Sequence, residues 1–389
     1  MIRRRTVACL GLSQLINWGV TYYLIGGFAT RIGAETGWTP TVVHGGFSAA
    51  LLVMGLSSGT IGRLIDRHGG RPVMAAGSIL GAAGCLGLAL AHDLATYYAA
   101  WLCLGLAMRC TLYDAAFAAL ARAGGPAARR PMAQITLLGG LASTTFWPIG
   151  DALANAFGWR GALVAYAGFA ILTLPLHLTL PAGRYGDGPA GRQPAGAPLA
   201  HSRHQQWIAG GLYALIATLA NVLNAGMSAH MIGILAGLGL AGPVAVWVAT
   251  LRGVGQSSAR LGEILFGSRL PPLSLNLAAA AVLPVCFALG LFAGAAPAAA
   301  VAFAFLYGAG NGLLTITRGT VPLVLFDHRQ YGTVVGRLLG PSFLCAAAAP
   351  VTYAAIIEHL GPAAALYLSG GLAVVAVAAA AGLVLAFRR

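Results

Sequence analysis

The chain has 389 residues, 58% hydrophobic and 8% charged, with a formal net charge of +14 and a mean hydropathy of +0.79. A soluble domain carries about 25% charged residues, so this deficit excludes a water-surrounded fold and makes lipid the solvent. The positive charge does not signify nucleic-acid binding: every one of the 23 basic residues is Arg, and most fall in short loops between apolar runs.

Those runs last about 20 residues, the length a helix needs to cross a hydrocarbon core of about 30 Å, and they are continuous rather than alternating, which argues against a barrel. Twelve spans are predicted, at 6–30, 42–64, 72–92, 95–118, 131–156, 160–180, 206–233, 242–265, 273–293, 297–324, 331–357 and 363–386. "MIRRR" leads into the first span without a small-residue cleavage site, so it reads as a retained helix rather than a signal peptide. Gln14, Asn17 and Thr21 lie at i, i+3, i+7 on that span and form one polar stripe, with Trp18, Tyr22 and Tyr23 beside it. The fourth span holds Arg109 and Asp114, the eighth Arg252 and Glu263, the tenth Arg318. Residues 181–205, rich in Gly, Pro and Arg, read as a flexible cytoplasmic linker between halves 1–180 and 206–389.

Arg placement sets the orientation. Arg3, Arg4, Arg5, Arg63, Arg67, Arg71, Arg122, Arg129, Arg130, Arg184, Arg192, Arg203, Arg260, Arg269, Arg329, Arg388 and Arg389 fall on one side, with little beyond Arg31 and Arg160 on the other. The positive-inside rule then makes both termini cytoplasmic. The six Cys lie singly in apolar runs and read as small hydrophobes.

The two halves repeat one another. "NWGVTYYLIG" (17–26) aligns with "NAGMSAHMIG" (224–233), and Gly55, Ser57, Ser58, Gly62 and Pro72 recur as Gly255, Ser257, Ser258, Gly262 and Pro272. Two related halves are a common layout in secondary transporters. Between spans 2 and 3 stands "GRLIDRHGGRP" (62–72), which fits G-x-L-x-D-R-x-G-x-R. On this motif and layout the chain resembles the major facilitator superfamily along its whole length. The resemblance implies an all-α membrane protein of twelve transmembrane helices in two pseudo-symmetric six-helix bundles, exposing a central site to each side in turn. It also implies that Asp66, with Arg67 and Arg71, docks on the neighbouring half and helps hold the cytoplasmic side closed. The second half reads "GEILFGSRLPP" at the matching place, with Phe266 where the first half has the Asp. Span 5 lacks the GP-x-x-GG pattern of the family's drug/proton antiporters, and "GLGLAG" (237–242) has no preceding strand to make it a nucleotide site. No Walker A, HExxH or G-x-S-x-G is present, so neither ATP-driven transport nor an enzyme is expected, and no cofactor.

In this family spans 1, 4, 7 and 10 line the cavity. An intramembrane charge costs about 2.5–3.5 kcal/mol on insertion scales, so charges kept there are expected to serve function. Three intramembrane Arg (Arg109, Arg252, Arg318) against Asp114 favour an anionic solute. The expected substrate site is Asn17, Trp18, Tyr22, Tyr23, Arg109, Asn224, His230, Arg252 and Arg318. Gating and proton coupling are expected of Asp66, Arg67, Arg71, Asp114 and Glu263, with Asp114 and Arg318 meeting across the halves. The cargo is expected to be a small organic anion or aromatic metabolite moved with a proton or other coupling ion. Lipid is the remaining partner, and the protein is expected to be a monomer in a bacterial inner membrane. Met227 and Met231 resemble the span-7 M-x-x-x-M of bacterial copper importers, which makes a Cu(I) importer an alternative, although span 8 lacks the H-x-x-x-M of those proteins. Riboflavin-carrying relatives of that branch, monocarboxylate-type carriers and a non-transporting membrane sensor on the same scaffold stay open.

Overall fold

In lipid every backbone N–H and C=O must be satisfied within the segment, and a chain of continuous apolar runs solves this with helices. The computed structural model, which describes residues 2–185, 198–266, 270–327 and 331–387, is all-α over those residues. The first half holds α1 (Arg4–Asn17), α2 (Leu24–Thr36), α3 (Pro40–His68), α4 (Gly70–Ala89), α5 (Leu94–Thr111), α6 (Tyr113–Gly124), α7 (Arg129–Gly140) and α8 (Ala142–Leu178). The second half holds α9 (Arg203–Gly237), α10 (Gly242–Phe266), α11 (Pro272–Gly290), α12 (Pro297–Leu325), α13 (Tyr331–Leu360) and α14 (Pro362–Phe387). Local chemistry sets several ends. Thr39 and Asp93 cap α3 and α5 by accepting from Val42 N and Thr96 N, and Ser202 with Gln205 forms a capping box on α9. Gly69, at φ 87°, makes the turn from α3 into α4 that no L side chain would favour.

All twelve expected spans fall on helices. Among the described residues, nine helical stretches are long and apolar enough to cross a membrane. Two departures explain much of the difference from twelve: the first span is divided, and the fifth and sixth run on as Arg129–Leu178, turning at Gly158 with φ 69°. α10, which carries Arg252, Gln256, Arg260 and Glu263, is not among the nine.

Three breaks lie where continuous helix was expected. A π-turn, Trp18–Tyr22, separates α1 from α2, closed by Tyr23 N–H donating to Trp18 O at 3.0 Å. Trp147 Nε1 takes the carbonyl of Tyr23, and Gly19 leaves room for the Phe146 ring. The fourth span breaks at Leu112, whose ψ of −176° starts α6 afresh. There Ala115 N–H turns to Leu112 O, and the carbonyl of Thr111 is met instead by Gln14 Nε2 at 2.8 Å. A side chain 97 residues away thus replaces the ladder bond. The fifth span is interrupted at Leu141, between α7 and α8.

The halves meet along two seams. On the first, α3 and α13 approach through glycines: a Cβ on Gly62 would overlap Gly332 O, and one on Gly336 would lie 2.8 Å from Ser58 O. Ser58 Oγ donates to Gly336 O at 2.8 Å. On the second seam, α7 and the start of α8 face α10, where Ser257 Oγ donates to Leu137 O and Thr144 Oγ1 to Thr250 O, both at 3.0 Å. The expected linker 181–205 is described only at its ends. Tyr185 N–H donates to Arg122 O, and Leu199 N–H to Val324 O; residues 186–197, with Arg192, lie outside the described residues, as do Arg269, Arg329, Arg388 and Arg389.

Inside the second half α10 and α12 touch backbone to backbone, because Gly255 faces Phe305 O and Gly308 faces Arg252 O with no room for a Cβ. Overpacking such a contact costs about 1–3 kcal/mol. Gly308→Val is therefore expected to lower the melting temperature of the detergent-purified protein by about 3 °C or more. Gly371→Ala, where nothing lies within 4 Å, should leave it unchanged.

Candidate functional site

Between the halves lies a cavity with an empty volume of about 580 Å³. The π-turn region, α6 and α9 bring four aromatic rings to it, those of Trp18, Tyr23, Tyr113 and Tyr213. Trp18 lies 5.0 Å from Tyr113 and 5.9 Å from Tyr23, centroid to centroid. The polar part of the wall is mostly amides and guanidinium groups, from Asn221, Asn224, Gln256, Arg260, Asn276, Asn311 and Arg318, with the hydroxyl of Thr315.

Arg260 is a correction to the sequence reading, which grouped it with the loop arginines. It is 1% exposed and lines the cavity. Its Nη1 donates to Thr136 O and to Tyr113 Oη, and its Nε to Gly312 O. Arg252, Gln256 and Arg260 stand at i, i+4, i+8, one face of α10, and that spacing was readable in the sequence. Loop-side charge counting hid it, because Arg260 falls in the last third of the span. Arg252 is fully buried, with Nη2 donating to Asn224 Oδ1 at 2.6 Å and its guanidinium 5.5 Å from the Tyr23 ring and 5.1 Å from that of Tyr307. Among the described residues neither Arg252 nor Arg260 has a carboxylate partner. Arg318 differs: its Nη2 lies 3.2 Å from Asp114 Oδ1 and its Nη1 donates to Asn221 Oδ1 at 2.6 Å. The break at Leu112 places Asp114 in the first turn of α6, where the helix dipole favours an anion.

Several donors in this region have no acceptor. Trp18 Nε1, Gln256 Nε2 and Arg318 Nε, all on cavity-lining residues, are buried without a protein partner, as are Nε and Nη1 of Arg252. The unmet atoms of the lining residues are donors with one exception, Asn276 Oδ1.

Of the expected substrate residues, Trp18, Tyr23, Asn224 and Arg318 line the cavity. Arg252 and Tyr22 stand behind Asn224, whose Nδ2 donates to Tyr22 Oη at 3.1 Å. Asn17 is buried in the first span, its carbonyl taking the Thr21 hydroxyl. Arg109 braces a seam, with Nε donating to Ser58 Oγ and Nη2 to Ser58 O, both at 3.2 Å. His230 contacts Pro350 O, and Met227 and Met231 are buried on α9 away from the cavity lining. Gln256, Asn276, Asn311, Tyr113 and Tyr213 line the cavity and were not singled out from sequence, since uncharged polar and aromatic residues are common in packed membrane helices.

The expected gating residues are spread along the seams. Asp66 Oδ2 accepts from Thr333 N at 2.7 Å and Thr333 Oγ1 at 2.8 Å, and Oδ1 from Gly332 N at 3.2 Å, all at the start of α13. Arg67 is exposed, and Arg71 donates twice to Leu180 O, tying α4 to the end of α8. Glu263 is buried with its Oε1 3.8 Å from Arg129 Nη2. Phe266, where the second half lacks the Asp, is 74% exposed.

The fold is found in solved transporters. The human organic anion transporter MFSD10 (TETRAN) matches with a TM-score of 0.71 over 97% of this chain and 99% of its own, at 17% identity. The proton:xylose symporter XylE, bound to 6-bromo-6-deoxy-D-glucose, matches with a TM-score of 0.74 over 96% of this chain and 94% of its own, at 12% identity. No curated protein matches the sequence. The model of the Major Facilitator Superfamily matches residues 10–336. With that match, the fold and the motif loop on α3, the chain belongs to the major facilitator superfamily.

Proposed function

We propose that this transporter moves a small organic anion across a bacterial inner membrane, with its termini cytoplasmic and a proton as coupling ion. One observation carries the reading: the cavity gathers buried donors that the protein leaves unmet, beside arginines with no carboxylate. An unmet buried donor costs about 1–3 kcal/mol, and an uncompensated buried charge several kcal/mol more. A carboxylate among Trp18, Gln256 and Arg260 would relieve both costs at once. The rings of Trp18, Tyr23 and Tyr113 suit a flat apolar body on the same molecule. The two solved neighbours are too distant to supply a substrate; the anion assignment rests on the cavity.

Alternating access needs closures that can be made and broken. Asp66 at the start of α13 and the Asp114–Arg318 pair would close the cytoplasmic end. Asp114 spends its carboxylate on Arg318, which favours a gate over a proton carrier. Removing one partner of a buried ion pair leaves a charge uncompensated, at about 3–5 kcal/mol.

In proteoliposomes, uptake of aromatic and aliphatic carboxylates is expected, with neutral sugars excluded. Arg260→Gln should lower kcat/KM by about tenfold or more, and Arg260→Lys by less, as a charge-assisted contact worth about 1.5–3 kcal/mol requires. Sugar uptake, or an Arg260→Gln variant with unchanged kinetics, would refute the anion reading. Ligand binding without any uptake would favour a sensor instead.

Asp114→Asn and Arg318→Gln should each slow uptake strongly, while the double variant is no slower than the worse single one. Losses that multiply in the double variant would rule out the paired gate.

A further inference from the structure

At the end of the bundle opposite Asp66, two histidines face each other across the halves. His44 sits in the first turns of α3 and His230 two turns before the end of α9. Their ring centroids are 4.9 Å apart with 34° between the planes. Neither lines the cavity. His44 is 8% exposed and its Nδ1 has no partner. His230 Nε2 lies 2.7 Å from Pro350 O. A carbonyl can only accept, so this nitrogen carries a hydrogen, and a second proton on that ring must go to Nδ1. The seam is tight beside the pair, because a Cβ on Gly26 of α2 would lie 2.9 Å from Ser228 O of α9.

The charged and titratable groups on the surrounding elements are engaged elsewhere or lie at other levels. On α2, Arg31 pairs with Asp151 and Glu35 with Arg160. On α5, Tyr97 and Tyr98 donate to the carbonyls of Val43 and Val42, Asp93 caps the helix start, and Arg109 is held by Ser58. On α13, Tyr353 lies parallel to His230 at 6.4 Å with its hydroxyl on Ser369, Arg337 lies nearer the opposite end, and Glu358 and His359 lie at the helix end. Arg252 of α10 is bound to Asn224, and Arg318 of α12 to Asp114 of α6. On α14 the ionisable Tyr367 is exposed. Among the described residues no carboxylate is paired with either histidine.

We propose that His44 and His230 form a proton-binding site across this seam, and that protonating both rings opens the seam to the side they face. As neutral rings the two pack against each other. As two imidazolium ions at that separation in a low dielectric, with no carboxylate between them, they repel. Opening therefore rises as pH falls. This supplies the proton step of the transport reading with a carrier other than the ion-paired Asp114. Its test does not need the substrate.

Ser228 is buried at the seam, so Ser228→Cys reports opening there. In proteoliposomes, labelling of this variant by a membrane-impermeant maleimide, counted above the parent protein, is expected to rise at least fivefold when the protein is equilibrated at pH 5 rather than pH 8 before labelling at one fixed pH under rapid quench. Adding His44→Gln or His230→Gln should flatten that rise. Glutamine can still donate to Pro350 O, so the fold contact survives. The double variant His44→Arg/His230→Arg, charged on both sides of the seam at both pH values, should label strongly at both. Adding Glu358→Gln, at the exposed end of α13, should preserve the rise. Labelling that ignores pH with both histidines present, or a rise that survives both glutamine variants, overturns the proposal. Neither result bears on whether an organic anion is the cargo.

Discussion

Four arginines drawn inside a membrane protein set the terms for everything around them. Arg109, Arg252, Arg260 and Arg318 each carry a charge that lipid cannot solvate, and each must find oxygen or aromatic faces within the fold. The solutions differ. Arg109 is held by a serine hydroxyl and carbonyl on α3, and Arg318 by an aspartate and an amide. Arg252 lies against two tyrosine rings, and Arg260 spans from α10 to the first half. Part of that demand stays unmet at the cavity, on Arg318 Nε, and just behind it, on Nε and Nη1 of Arg252, and a charged ligand can answer it.

The glycines make that arrangement possible. Small residues let membrane helices approach closely, where dispersion and backbone contact replace the hydrophobic drive that lipid does not supply. α3 meets α13 and α10 meets α12 through such positions. Along α3 and α13 the contact between the halves is thus made largely of backbone and short side chains, which can part without dragging long side chains out of a packed core. The long polar side chains are kept for the centre.

Much of this was legible in the sequence. The apolar runs marked the twelve spans, and the motif at 62–72 carried the resemblance that implies a contact of Asp66 with the other half. With Gly105 aligned on Gly308, Asp114 falls level with Thr317 and beside Arg318, which suggested that the two could meet. What escaped was tertiary. No local breaker announces the turn at Leu112, which depends on Gln14 arriving from another helix, and nothing in "NWGVTYYLIG" betrays a π-turn. Arg260 was misplaced because charge near the end of a span has two physical outcomes, snorkelling to the interface or facing a polar interior. Only the neighbours on α7 and α12 decide between them.

The π-turn at Trp18–Tyr22 has a mechanical meaning. Its i→i+5 bond holds one residue of slack in a helix whose ends are anchored, by Gln14 on Thr111 O before it and Trp147 on Tyr23 O after it. Taking up that slack into regular helix would turn the residues beyond it by about 100° around the axis. Tyr23 would then face other neighbours, and its carbonyl would leave Trp147 Nε1. In that sense the aromatic wall of the cavity, Trp18 and Tyr23 together, would be a dial whose setting changes the shape of the site.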